Sequence, residues 1–164
     1  MDNTEPLAID AHRIVIAEYT PAHQQDFRRL NEFWISSYFV MEEADYQTLD
    51  HPQEYILDKG GKIILALLGA KVVGTAALLK TDDYTYELVK MAVDPAHQGL
   101  GIGKKLGLAI IAGAAEMGAK HIYLESNTIL GPAIRLYEKL GFKKIEGRPT
   151  PYRRCNIQME LIIP

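Results

Sequence analysis

The stretch AVDPAHQGLGIGKKL, residues 92–106, constrains this chain more than any other. An apolar run ends at Val93 and Asp94-Pro95 breaks it. Glycines then alternate at Gly99, Gly101 and Gly103, and two lysines open a long apolar helix pattern. The first four N–H groups of a helix have no intrahelical partners, and the helix dipole leaves that end partly positive. Glycine removes the Cβ atoms that would hold a ligand away from such a backbone. Together these make an anion site, suited to a phosphate or pyrophosphate. The competing reading is a turn whose glycines serve local geometry alone.

Two common phosphate loops fail here. A dinucleotide loop needs G-x-G-x-x-G, but Lys104 or Leu106 stands where the third glycine belongs. A nucleotide P-loop needs four residues between its glycines and then Lys-Ser/Thr, but Gly99 and Gly103 enclose three and Lys105 replaces the hydroxyl.

The rest of the pattern frames the loop. HRIVIAEY (His12–Tyr19) alternates as a first strand, and a helical region runs from Pro21 to about Ser37. The acid-rich EEADYQTLDHPQEYILDKGG has loop chemistry, with a short helix near Pro52–Leu57 stopped by Gly60-Gly61. KIILALL and VVGTAALL flank Gly69-Ala70-Lys71 as a hairpin, and YELVKMAV (Tyr86–Val93) is the strand that feeds the glycines. A helix from Gly101 to Met117, the strand HIYLES and a second helix from Gly131-Pro132 to Gly141 follow. FKKIE and CNIQMELII supply the last two strands. The expected fold is a mixed α/β domain with a local parallel crossover around the His121 strand. No linker divides residues 1–164, so one domain is expected.

Composition narrows the partners. Residues 1–79 carry 12 acids and 6 bases, net −6, and residues 80–164 carry 9 acids and 12 bases, net +3. A phosphate-bearing ligand suits the second half and a cation suits the first. A pI near 5.9 without a concentrated basic patch argues against nucleic acid. No apolar run approaches the ~20 residues of a membrane helix. The acidic opening MDNTEPLAID argues against a secretory signal, and a lone cysteine, Cys155, fits a reducing compartment. A cytoplasmic location is expected.

Gln98-x-x-Gly101-x-Gly103, following a strand and an Asp-Pro turn, resembles the acyl-CoA loop of the GNAT N-acetyltransferase superfamily. Glu87–Val93 resembles that family's fourth strand, LESN (Leu124–Asn127) the end of its fifth, and AIRLYEKLGF (Ala133–Phe142) its A-x-x-x-Y-x-x-x-G-F signature. The resemblance implies the GNAT acyl-CoA N-acyltransferase fold: a mostly antiparallel central sheet with helices on both faces, and a parallel strand pair splayed beside a bulge. It implies acetyl transfer from acetyl-CoA, as co-substrate and without a metal, to a primary amine by direct attack on the thioester.

By that resemblance the pyrophosphate rests on backbone amides of Gln98, Gly99, Leu100, Gly101, Ile102, Gly103 and Lys104. The pantetheine arm pairs along Met91, Ala92 and Val93, whose backbone polarises the thioester carbonyl. Lys104 is equally read as a solvated helix-start lysine, and Asn127 as either a cofactor contact or a turn former. Tyr137 protonates the departing thiolate and also contacts the cofactor; otherwise it is a core tyrosine. Glu87 is the candidate base, acting directly or through water. His97 and His121 are expected to face solvent, Cys155 to be a packing residue, and Arg135, Arg153 and Arg154 to be exposed.

The acidic EEADY and LDHPQEY segments fall where the family builds its acceptor wall, which favours a cationic amine on a small molecule or a protein. The resemblance also gives a homodimer as the oligomeric expectation. A non-catalytic acyl-CoA-binding module is the alternative from another class.

Overall fold

The computed structural model describes residues 13–164. The acidic opening and the expected strand start at His12 lie outside the described residues. Seven strands form one sheet in the order β1-β2-β3-β4-β5-β7-β6. They are β1 (Ile14–Glu18), β2 (Lys62–Leu68), β3 (Lys71–Lys80), β4 (Thr85–Val93), β5 (His121–Ser126), β6 (Lys143–Lys144) and β7 (Ile157–Ile162). Every neighbouring pair is antiparallel except β4 and β5. That exception follows from α3 (Ile102–Glu116), because a helical crossover returns the chain in the same direction.

Strand alternation sorts the core into two layers. Ile63 and Leu65 of β2 join Phe27 and Leu30 of α1 (Gln24–Tyr38) and Leu49 of α2 (Glu43–Asp50) on one face. Their neighbours Ile64 and Ala66 point the other way, to Ile102, Leu106 and Ile110 of α3. With both faces covered, β2 and β3 read as nearly unbroken apolar runs. The last helix, α4 (Gly131–Leu140), lies beside α3.

One segment departs from expectation. EADYQTLD forms the helix α2, where acid-rich loop chemistry was expected. Its start is fixed by a side chain: the Glu42 backbone N–H donates to the Asp45 carboxylate at 2.9 Å. The short helix near Pro52–Leu57 is present as a π-helical turn, Gln53–Leu57. Among the described residues, no helix is long and apolar enough to cross a membrane.

The sheet opens at its middle. Residues of β4 and β5 pair from Thr85↔His121 to Leu88↔Leu124 and no further, while β5 stays paired with β7 to Ser126↔Ile157. The register of β4 against β3 shifts between Ala92 and Val89, which leaves an extra residue in β4. Lys90, at φ 51°, sits in that bulge. A buried relay holds it: Asn31 Nδ2 donates to Thr75 Oγ1 at 3.1 Å, and the Thr75 hydroxyl donates to the Lys90 carbonyl at 3.1 Å. The bulge turns the second half of β4 away from β5 and opens a cleft between them.

Candidate active site

The cleft encloses about 830 Å³, open solvent at its mouth included. Glu87, Lys90 and Met91 of β4, Glu125 and Ser126 of β5, Tyr137 of α4 and Trp34 of α1 all line it. A second depression shares Trp34, Leu130 and Ala133 with the cleft and continues it to Gln98 and Gly99. Two widely separated sequence signals, the glycines and the A-x-x-x-Y-x-x-x-G-F helix, therefore meet along one continuous surface.

At the glycine end the backbone does the work. Gly99 and Gly101 adopt φ 80° and 75°, a left-handed conformation that strains any residue with a Cβ. A Cβ built on either would meet nothing within 4 Å, so their role is conformational and the space above them is open. The first helical bond of α3 runs from the Lys105 N–H to the Gly101 carbonyl. Among the described residues, no acceptor is assigned to the amides of Gln98 through Lys104. Ile102 turns its side chain into the core and offers the cleft only backbone, while Lys104 is exposed. This run of N–H groups at a helix start suits an anion such as a diphosphate. Met91, Ala92 and Val93 occupy the half of β4 that β5 has left.

At the other end side chains take over. Asp45, fully buried, accepts Lys90 Nζ at 2.6 Å and both Nη atoms of Arg154 at 2.7 Å. Burial pushes its carboxyl up, but Arg154 and Lys90 together outweigh that and hold it at about 2. The Lys90 ammonium also lies 5.2 Å from the centre of the Tyr152 ring, and Arg154 stacks on the same ring at 4.3 Å. Arg154 is thus a partly buried ion-pair partner, where an exposed arginine was expected. Arg135 and Arg153 are exposed as expected.

Glu87 has the opposite surroundings. Burial, then the charge and hydrogen-bonding contact of Glu125, raise its carboxyl to about 8, against a smaller opposing pull from Lys90. Half-buried Tyr137 packs its ring edge-to-face on Phe142 at 6.0 Å, and burial raises its phenol to about 12. Asn127 spends both ends of its amide locally. Its Nδ2 donates to the Arg154 carbonyl at 2.7 Å, and its Oδ1 accepts the Ile129 N–H at 3.0 Å, which makes it a turn former at the cleft wall.

Of three further residues weighed from the sequence, His97 departs from expectation. His97 is buried, not solvent-facing, and its Nδ1 has no hydrogen-bond partner among the described residues. His121 is partly exposed and meets Glu160 at 2.6 Å. Cys155 lines the cleft, its thiol raised to about 11 by burial and by Glu125, so it stays protonated at neutral pH.

The acetyltransferase (GNAT) family model matches residues 17–142, from β1 through the end of the Tyr137 helix. The chain belongs to the GNAT acetyltransferase family. A GNAT-family acetyltransferase from Staphylococcus aureus superposes with a TM-score of 0.81 at 25% identity, covering 90% of this chain and 97% of that one. The fold is also that of YncA, a putative acetyltransferase from Salmonella typhimurium solved with acetyl-CoA. That match has a TM-score of 0.73 at 21% identity, over 91% of this chain and 93% of that one. In sequence, YjgM, an uncharacterized N-acetyltransferase of Escherichia coli, is 45% identical over 88 residues, 52% of this chain and 53% of its own length. The alignment thus spans about half of that relative. The splayed parallel pair, the mostly antiparallel sheet and the helices on both faces are the GNAT arrangement.

Lys90, Glu125 and Tyr152 line the cleft and Asp45 lies buried behind them, and sequence reasoning gave none of the four a site role. The only local sign was Asp45 three residues after Glu42, the spacing of a helix-start capping pair.

Proposed function

We propose that this GNAT protein is an N-acetyltransferase, a single domain over residues 1–164, that moves an acetyl group from acetyl-CoA to a primary amine. The observation that carries the reading is the continuity of the cleft, which runs from Gln98 and Gly99, where the glycine loop begins, to Glu87 and Tyr137. The acetyl-CoA held by the Salmonella protein of the same fold supports the choice of donor. The lone Cys155 and the composition suit a cytoplasmic setting.

Acetyl-CoA supplies, when bound, a thioester whose carbonyl carbon an amine can attack and whose sulfur departs. On this reading the amides of Gln98, Gly99, Leu100, Gly101, Ile102, Gly103 and Lys104 hold the diphosphate, with Lys104 adding positive charge at its edge. The freed edge of β4 at Met91–Val93 holds the arm and donates to the carbonyl oxygen. Asn127 contributes by shaping the turn that walls the arm. Glu87 takes a proton from the incoming amine, directly or through water.

Tyr137 delivers a proton to the leaving sulfur. Its phenol at about 12 stands well above a thiol near 8.5, so a completed transfer to a free thiolate would be uphill by roughly 5 kcal/mol. The proton must therefore move as the carbon–sulfur bond breaks.

The test is CoA release from acetyl-CoA across a panel of primary amines, with wild type beside Tyr137→Phe. Amine-dependent release that drops in the variant supports transfer. Tight acetyl-CoA binding without turnover on any amine, unchanged by Tyr137→Phe, would assign the protein as a non-catalytic acyl-CoA-binding module.

A further inference from the structure

Where β4 and β5 part, two carboxyl groups face each other in the cleft. Glu87 is in register with Tyr123, and Glu125 lies one residue past the last β4–β5 pair. Both carboxyls line the cleft, and burial together with the charge of Glu125 raises Glu87, so the pair holds a proton at neutral pH. Glu125 is fixed from behind: Gln158, buried in β7, donates its Nε2 to Glu125 at 3.2 Å and to the Arg148 carbonyl at 2.8 Å. Tyr123 shares its strand face with Glu125, because residues two apart on a strand point the same way. Tyr123 is 7% exposed, and its hydroxyl has no hydrogen-bond partner among the described residues. A buried hydroxyl left without a partner, on the strand face that carries both carboxyls, is free to bond a ligand.

The surrounding charges are already committed. Lys90 and Arg154 bind Asp45. Arg148 stacks on the Tyr123 ring at 4.9 Å, and the Cys155 thiol and Tyr152 phenol remain neutral at neutral pH. What the group lacks is a compact cation with several N–H donors.

Building on the acetyltransferase reading, we propose that Glu87, Glu125 and the Tyr123 hydroxyl form a receptor for the acceptor's primary ammonium, which displaces the proton the two carboxyls share. The proton count closes. As the ammonium enters, the shared proton leaves to solvent and the carboxyls become a dianion beside a cation. The ammonium then returns one N–H proton to the pair, which leaves a neutral amine at the β4–β5 split. Glu125 is thereby a substrate-binding residue and half of the base. The same chemistry refines the acceptor: an unhindered primary amine with no anionic group beside it, since Lys90 and Arg154 are already paired with Asp45.

Carbon-13 NMR on the full chain labelled at the Glu side-chain carboxyl reads this directly and needs no turnover. In wild type, one carboxyl should titrate near 8. Millimolar n-butylammonium should lower that titration by about one pH unit or more. Tetramethylammonium, which has no N–H, and n-butanol, which has no charge, should not shift it. Glu125→Gln should bring the Glu87 titration down to what burial alone sustains and abolish the shift, while Glu125→Asp, which retains the carboxyl, should keep part of it. Thermal melts of both variants check that they fold.

Two carboxyls that titrate independently in the ordinary range, or a shift of equal size with tetramethylammonium or in Glu125→Gln, would overturn the receptor. The amine panel separates the two readings. Turnover without the titration shift removes the receptor and leaves the transferase, whereas the shift without turnover does the reverse.

Discussion

The two ends of the cleft are built on opposite plans. At the glycine end, the polar groups are main-chain amides between Gln98 and Lys104, contiguous in sequence and set by two left-handed glycines. At the other end they are side chains brought from α2, β4, β5 and the segment before β7, up to 109 residues apart. Main-chain amides do not titrate near neutrality, so the first end should hold an anion equally well across the physiological range. The second end is a balance of charges that pH can tip. Even there two solutions coexist: Asp45 is held ionised by two cations, while Glu87 is held protonated by burial and by another carboxyl.

Replacing Asp45 with asparagine should produce the largest effect. The change preserves shape but leaves Lys90 and Arg154 with uncompensated charge in a mostly buried site, at a cost of about 3–5 kcal/mol. Urea unfolding measures it. A loss below about 1 kcal/mol would mean that solvent already screens the cluster, and the contrast between the ends would shrink accordingly.

The pH dependence of stability should divide the two acids. Glu87 has its folded value raised from 4.5 to about 8, so its stabilising contribution is complete below about 4.5 and is lost as pH rises through 8. The loss reaches up to about 5 kcal/mol, and Glu87→Gln should flatten it. Asp45 has its value lowered from 3.8 to about 2, so its contribution is complete above about 4 and is lost as pH falls through 2. After allowance for solvent screening, that loss is about 1–2 kcal/mol. Chemical denaturation from pH 3 to 9 on wild type and Glu87→Gln decides the matter, and a wild-type profile flat between pH 5 and 8 would remove the distinction.

Tyr137 stands between the two ends and links them kinetically. Tyr137→Phe should lower kcat about 100-fold with little change in KM, because a general acid acts in the transition state and not in binding. The ring contact with Phe142 survives the change, so the melting temperature should barely move. A rise in KM at constant kcat would reassign the phenol to substrate or cofactor binding.

The same division explains what could be read from the chain. The glycine end was legible because its information is local: a strand, an Asp-Pro break, three alternating glycines and a helix lie within 15 residues. The succession of elements along the chain, the parallel pair and both long flanking helices were legible for a similar reason, since periodicity and glycine punctuation mark each element. The helix α2 was not, because EADYQTLD has few apolar positions and its start depends on the Asp45 side chain capping Glu42. The Lys90 bulge rests on Asn31 and Thr75, 59 and 15 residues from the carbonyl they position. Nothing near Arg154 signals that it is an interior ion-pair partner, since its carboxylate lies 109 residues earlier. Contacts of that range leave no spacing to count.

The smallest expected effect tests the backbone end. Gly101 caps α3 at φ 75° with open space where a Cβ would sit. Gly101→Ala therefore meets no steric obstacle from its neighbours and incurs only the left-handed penalty of about 1–2 kcal/mol. Part of that strain should be relieved by turning the local amides, so acetyl-CoA affinity should fall by about 10-fold, equivalent to about 1.4 kcal/mol. The change should be the same at pH 6 and pH 8.5, because the amides carry no titrating group. Calorimetric binding at both values checks this. A pH-dependent loss would show that the glycine loop draws on the charged cluster, and the two ends would then have to be described as one coupled site.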